Sequence, residues 1–444
     1  MSEVPTFRPG KEVTAEIISI GDELLIGQTV NTNAGWMGEQ LGLVGIRTRR
    51  VRVIADDAPE IMDALASATC DVVLITGGLG PTKDDITKHT LCQFFGTALV
   101  RVPEVEARIE SLFLRMGRDP KDILEVNRAQ ADLPMSCTVI PNDRGTASGM
   151  WFDRPDPGGN GPGQVFVSMP GVPYEMKAMM TSTVIPALQE RFLPPTIVHR
   201  TILTTGLGES QLAQRIEAWE DGLSNEGIKL AYLPSPGLVK LRLSAYAGTD
   251  PLLAHAGVDR QVKELHALIP ELIFGEGDDR ISKVIGRMLK QRGQTLSLAE
   301  SCTGGYVSHL ITSVPGSSAY YTGGVVSYAN AVKMEELGIP ADMLELEGAV
   351  SKAVAEQMAQ GVREALRTDW SIALTGVAGP DGGTPEKPVG TVWMAVAGPH
   401  GVRSSLGRFP STRDLVIERS AHAALNMLRL DLLRADERIA PQER

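Results

Sequence analysis

The chain has 444 residues, beyond the roughly 250 to 300 that one hydrophobic core usually supports, so two or three domains are expected. A formal net charge of -11 disfavours direct nucleic-acid binding, which needs clustered Lys and Arg. The four cysteines, Cys70, Cys92, Cys137 and Cys302, are widely separated; they suggest neither a disulfide framework nor a zinc site and fit a reducing cytoplasm. Residues 1–12 lack the apolar core of a signal peptide and read as a loose tail. No run approaches the ~20 apolar residues that span a bilayer, so a cytoplasmic protein without membrane contact is expected.

Residues 13–190 alternate β-rich and helical patterns: AEIISIG, NAGWMGEQLGLVG, IRTRRVRVIAD and DVVLITGG. That order implies βαβ units and a parallel sheet, so the class is α/β. Val72–Ile75 is apolar at every position, as suits a strand covered on both faces. Gly21–Asp22–Glu23 and Gly77–Gly78–Leu79–Gly80, the latter running on to Asp84–Asp85, follow two of these strands. Both loops would emerge on one sheet edge, and glycine N–H groups followed by carboxylates suit a diphosphate and a divalent metal. Asp22 and Asp85 read also as helix caps or turn formers.

The Gly- and Pro-rich stretch 152–164 reads as a hairpin loop, and Pro194–Pro195 as a boundary. Residues 196–275 pattern as a small α+β module. Its loop Gly206–Leu207–Gly208–Glu209 carries an acid where an RNA phosphate would need a cation, so the module reads as architectural or dimer-forming. The amphipathic helix ISKVIGRMLKQRG then opens a last domain, 278–438.

There the strand Thr295–Ala299 leads through Glu300–Ser301–Cys302–Thr303–Gly304–Gly305 into a helical pattern. Ser301 would sit on a strand-to-helix turn beside helix N–H groups able to stabilise an oxyanion. Such a hydroxyl needs a base. A second strand, Gly323–Tyr328, runs into Ala329–Lys333, where Asn330 is expected to cap a helix with Lys333 in its first turn. A desolvated lysine can accept the proton and a tyrosine relay it. Taken singly, Ser301 reads equally as a cap, Tyr328 as core filling and Lys333 as a solvated residue; Cys302 is either a rival nucleophile or packing. The loop Gly376–Gly383 reads as a backbone cradle for a phosphate or ribose, or as a plain turn, with Arg403 and Arg408 as cations for a phosphate.

ESCTGG, SYANAVK, TGVAGPDGG and KPVGTVW, in that order, closely resemble the C-terminal amidase domain of the CinA (competence/damage-inducible) family. The resemblance implies hydrolysis of nicotinamide mononucleotide to nicotinate mononucleotide and ammonia without a cofactor. It casts Ser301 as nucleophile and Tyr328 and Lys333 as its activating partners; Thr303, Gly304, Gly305, Gly376, Gly379 and Gly382 are the candidate substrate contacts. The early loops, with PGVPYEM, resemble the molybdopterin-binding fold that forms this family's first domain. Some members are attributed a metal-dependent ADP-ribose pyrophosphatase activity. That implies Asp22, Asp84 and Asp85 as metal ligands, Gly77, Gly78 and Gly80 as substrate contacts, and a divalent metal of unknown identity. The middle module is similar to the family's KH-like domain, and a homo-oligomer, a dimer, is implied. A molybdopterin-handling transferase and a non-enzymatic competence or recombination accessory protein are the alternatives.

Overall fold

The computed structural model describes residues 12–80, 86–155, 163–195, 197–246 and 251–439. Most of the expected tail and much of the 152–164 loop lie outside the described residues. The chain forms two compact units, 1–198 with 246–254, and 199–245 with 255–444.

The first unit carries strands β1 (Val13–Ile20), β2 (Ile46–Ile54), β3 (Val72–Thr76), β4 (Leu99–Arg101), β5 (Asp132–Pro134), β6 (Thr138–Ile140), β7 (Gly149–Arg154) and β8 (Gln164–Met169). Six of them form one sheet in the order β2-β1-β3-β8-β7-β6, and β4 pairs with β5. β2, β1, β3 and β8 run parallel; β7 and β6 close the edge antiparallel. Side chains alternate across a strand. Ile17 and Leu74 therefore enter one core with Met37, while Ile18, Val73 and Ile75 enter another with Phe152 and Phe166. Residues buried on both faces explain the unbroken apolar run of β3.

The second unit holds two sheets. β9 (Ile197–Thr205), β10 (Ile228–Ser235), β11 (Leu238–Tyr246) and β12 (Ile273–Glu276) lie in the order β10-β11-β9-β12. β13 (Leu296–Glu300), β14 (Tyr321–Val326), β15 (Trp370–Gly376), β16 (Thr391–Gly398) and β17 (Gly401–Arg408) lie in the order β14-β13-β15-β16-β17. β14, β13 and β15 are parallel and end on the same edge; β16 and β17 return antiparallel. Large residues of β13 and β15 (Leu296, Leu298, Ile372, Leu374) face the helices Ile281–Arg292 and Arg413–Ile439, while Ala299 and Ala373 let the helix Lys352–Leu366 lie close to the other face. The middle module shares core with the last domain: Leu203 and Phe274 join the cluster built around the C-terminal helix. Among the described residues no helix is long and apolar enough to cross a membrane.

At Gly77 the backbone adopts φ +110°, and a Cβ there would stand 2.1 Å from the carbonyl oxygen of Ile20. Gly77→Ala is expected to cost about 2 to 3 kcal/mol in the first unit, read as a lowered denaturant midpoint. An unchanged midpoint would show that β1 and β3 are not held this closely.

Candidate active site

Ser301 is the first residue past β13, the central strand of the parallel trio, and its N–H donates to Leu374 O of β15 at 3.0 Å. On the other side, Ser327 N donates to Glu300 O at 2.8 Å, which draws the end of β14 against the same turn. The helix Asn330–Leu337 then turns Lys333 inward. Lys333 is 1% exposed and Ser301 9% exposed, with Nζ 3.2 Å from the serine Oγ. The amine also donates to Ser327 O at 2.6 Å and Tyr328 O at 3.3 Å. Burial holds it below the usual lysine range, since no carboxylate is at hand to favour the charged form. In its neutral form the amine would have two N–H groups for the two carbonyls and one lone pair for the hydroxyl.

The turn is fixed by Glu300, which is fully buried. Its Oε2 accepts from Thr303 Oγ1 (2.7 Å), Gly305 N (3.1 Å) and Val307 N (3.0 Å), and its Oε1 from Ser308 N (2.8 Å) and Ser308 Oγ (2.7 Å). A carboxylate can satisfy the orphan donors of a helix start. This corrects two expectations: the Thr303 hydroxyl and the Gly305 N–H are spent inside the protein, not held out to a substrate. Gly304 N likewise donates to Ser301 O at 3.1 Å. Among the described residues the N–H groups of Cys302 and Thr303 have no carbonyl or carboxylate acceptor, and they are what the turn has left for an oxyanion.

The phenol of Tyr328 does not join the serine and the amine. It is 64% exposed, and its oxygen accepts from Arg413 at 3.3 Å; the residue meets Lys333 through its main-chain carbonyl instead. Arg413 also donates to Gly379 O at 2.7 Å, so it ties the loop after β15 to the segment after β14. Sequence reasoning missed Arg413, although a cation in a helix's first turn, against the helix dipole, is a signal of a specific partner. It missed Glu300 as well, reading only its neighbours. Asn330 is the first helical residue and does not cap; the N-cap is Ala329. Gly376 ends β15, where a Cβ would lie 2.6 Å from Thr391 O, so packing against β16 accounts for it. Gly379 and Gly382 sit beyond it with φ +87° and +84°. Arg403 is committed to Asp431 and to Met427 O, away from any phosphate. Cys302 is buried, and burial pushes its thiol up to about 12.

In the first unit, a cavity of about 440 Å³ opens at the C-terminal ends of β1 and β3, where Gly77, Gly78 and Gly80 line it. Asn33 donates to Gly171 O (2.7 Å) and Thr76 Oγ1 (3.3 Å), while Thr76 donates to Pro170 O (3.0 Å), which joins the end of β3 to the segment after β8. Asp22 is exposed and does not line the cavity; Glu23, Asp56 and Glu175 do. Glu175 is engaged with Asn142 Nδ2 at 2.6 Å. Asp84 and Asp85 lie outside the described residues, and among those described no three or more His, Cys, Asp or Glu gather as a metal would require. The described residues alone therefore do not make a metal site.

Taken together, the molecule is a three-module α/β protein with a buried serine–lysine pair at the carboxyl edge of its last sheet. Its segments match the models of a probable molybdopterin binding domain (16–190), a damage-inducible protein CinA KH domain (199–275) and a CinA C-terminal domain (278–432). It is similar to a CinA-like protein of Cytophaga hutchinsonii, 43% identical over 95% of this chain and 98% of the relative. One of Flavobacterium psychrophilum is 44% identical over 95% and 99%. The crystal structure of competence/damage inducible protein CihA from Agrobacterium tumefaciens, 37% identical, covers 34% of this chain and 93% of its own, with a TM-score of 0.34. The chain belongs to the CinA family.

Glu300→Ala leaves five donor groups facing a hole and is expected to cost about 3 kcal/mol or more, while Glu300→Gln, which keeps one acceptor oxygen, costs less. Denaturant unfolding reads the order of the two, and equal costs would show that the carboxylate is not what fixes the turn.

Proposed function

We propose that the C-terminal domain is a serine amidase that hydrolyses nicotinamide mononucleotide to nicotinate mononucleotide and ammonia. The observation that carries this reading is the 3.2 Å approach of the buried Lys333 amine to Ser301 Oγ. Lys333 takes the serine proton as Oγ attacks the carboxamide carbon, and the N–H groups of Cys302 and Thr303 receive the oxyanion. The proton passes from Lys333 to the departing nitrogen, which leaves as ammonia. Water, deprotonated by the same amine, then cleaves the acyl-serine ester and frees the nicotinate carboxylate. Arg413, held by Tyr328 and Gly379, keeps N–H groups for the nucleotide phosphate. Tyr328 acts by orienting that arginine and by its carbonyl on Lys333, in place of a proton relay.

Ser301→Ala is expected to abolish ammonia release. Lys333→Arg, a cation that cannot give up its proton, is expected to lower kcat by about 10² to 10⁴. Cys302→Ala leaves it nearly intact. If Ser301→Ala stayed active and Cys302→Ala did not, the thiol would be the nucleophile. Because burial depresses the Lys333 pKa, its protonated fraction falls as pH rises, so activity climbs to a plateau with a midpoint below the ordinary 10.5. A profile flat between pH 6 and 10 would remove the amine from the role of base.

The first unit is proposed to cleave ADP-ribose with a divalent metal, supported by its glycine-edged cavity and the family resemblance. Asp84 and Asp85 are the proposed metal-binding carboxylates. ADP-ribose cleavage should survive in Ser301→Ala and disappear in Asp85→Ala. Tight pterin binding without turnover would favour the molybdopterin-handling alternative.

A further inference from the structure

The second unit contains another cavity of about 440 Å³, to which neither Ser301 nor Lys333 contributes. Beside it the middle module is pinned to the C-terminal helix. The 2% exposed Arg429 donates to Ile273 O at 3.0 Å and to Glu271 O, and His422 meets Pro236 O at 3.2 Å. Along this stretch the helix presents Arg419, Ala423 and Asn426 to the cavity, spaced four and three residues apart and so on one stripe.

The stripe is rich in donors. Arg419 is half-buried and has no hydrogen bond or ion pair with any described residue. Asn426 Oδ1 accepts from Arg429 Nε at 2.9 Å, which fixes the amide and leaves Nδ2 facing the Gly206 side of the cavity. The opposite wall is apolar: Phe409 and Leu238 are only partly covered by the core they pack on. The acid on the rim, Glu209, makes no ion pair with Arg419, and its field reaches Tyr232. A free guanidinium and a free amide N–H beside a half-covered aromatic ring call for an acceptor-rich anion with a flat apolar part, and the volume suits a small ligand. We propose that this cavity binds a small aromatic anion, a ring carrying one phosphate or carboxylate group, with the acidic group on Arg419 and Asn426 and the ring on Phe409.

Calorimetry on the full chain would compare phenyl phosphate, benzoate and inorganic phosphate. Phenyl phosphate or benzoate is expected to bind, and which of them binds tighter names the acidic group. Inorganic phosphate should bind at least about tenfold more weakly. Arg419→Gln should weaken binding about tenfold or more, as should Asn426→Asp, which replaces the donor but keeps an acceptor for Arg429. Lys333→Arg should leave it unchanged, which separates this site from the amidase centre. The proposal is overturned if none of the ring-bearing probes binds at millimolar concentration, if folded Arg419→Gln protein binds them as before, or if inorganic phosphate binds as tightly as phenyl phosphate.

Discussion

The Ser301 turn depends on one buried carboxylate. Removing a charge from water is costly unless donors replace the lost hydration, and Glu300 recovers it from two hydroxyls and three backbone N–H groups in the eight residues that follow β13. Those bonds shape the turn, and the shaped turn points Ser301 toward the amine delivered by the next strand. A loop held only by glycine flexibility would not hold a hydroxyl within 3.2 Å of a single nitrogen.

The parallel sheets were legible because their signals are local. Val72–Ile75, apolar throughout, and Thr295–Ala299, alternating polar and apolar, are short β-rich runs ending in glycine-rich turns, and such runs have few alternatives in an α/β chain. The approach of Lys333 to Ser301 was legible for a related reason: β13 and β14 are adjacent parallel strands, so the segments that leave their ends share an edge. Hydrogen-bond commitments were not legible. Thr303 and the Gly305 N–H looked available, yet they are consumed by a neighbour whose burial the sequence does not display. Tyr328 was misread because its side chain and its carbonyl point to different partners. Arg413 lies 80 residues beyond Lys333, and only tertiary structure brings it to the loop after β15.

The boundary at Pro194–Pro195 marks a change of pattern, but the residues after it do not form an isolated body. Leu203 and Phe274 complete the core beneath the C-terminal helix, and Arg429 donates to carbonyls at the edge of β12. A buried guanidinium holds its position strongly when two fixed main-chain carbonyls and a neighbouring amide oxygen accept from it. The same helix starts at Arg413, so one element carries both the arginine bonded to Tyr328 and Gly379 and the residues lining the second cavity.

The burial of Cys302 bears on a hazard common to acyl-transfer enzymes. Peroxide attacks thiolates, so a centre built on sulfur stops working under oxidative stress until a reductant restores it. Here the sulfur adjacent to the alcohol stays protonated, and burial likewise raises the thiols of Cys70, Cys92 and Cys137. The proposed amide hydrolysis, resting on the Ser301 oxygen and the Lys333 nitrogen, would carry on through an oxidant burst that silences a cysteine counterpart.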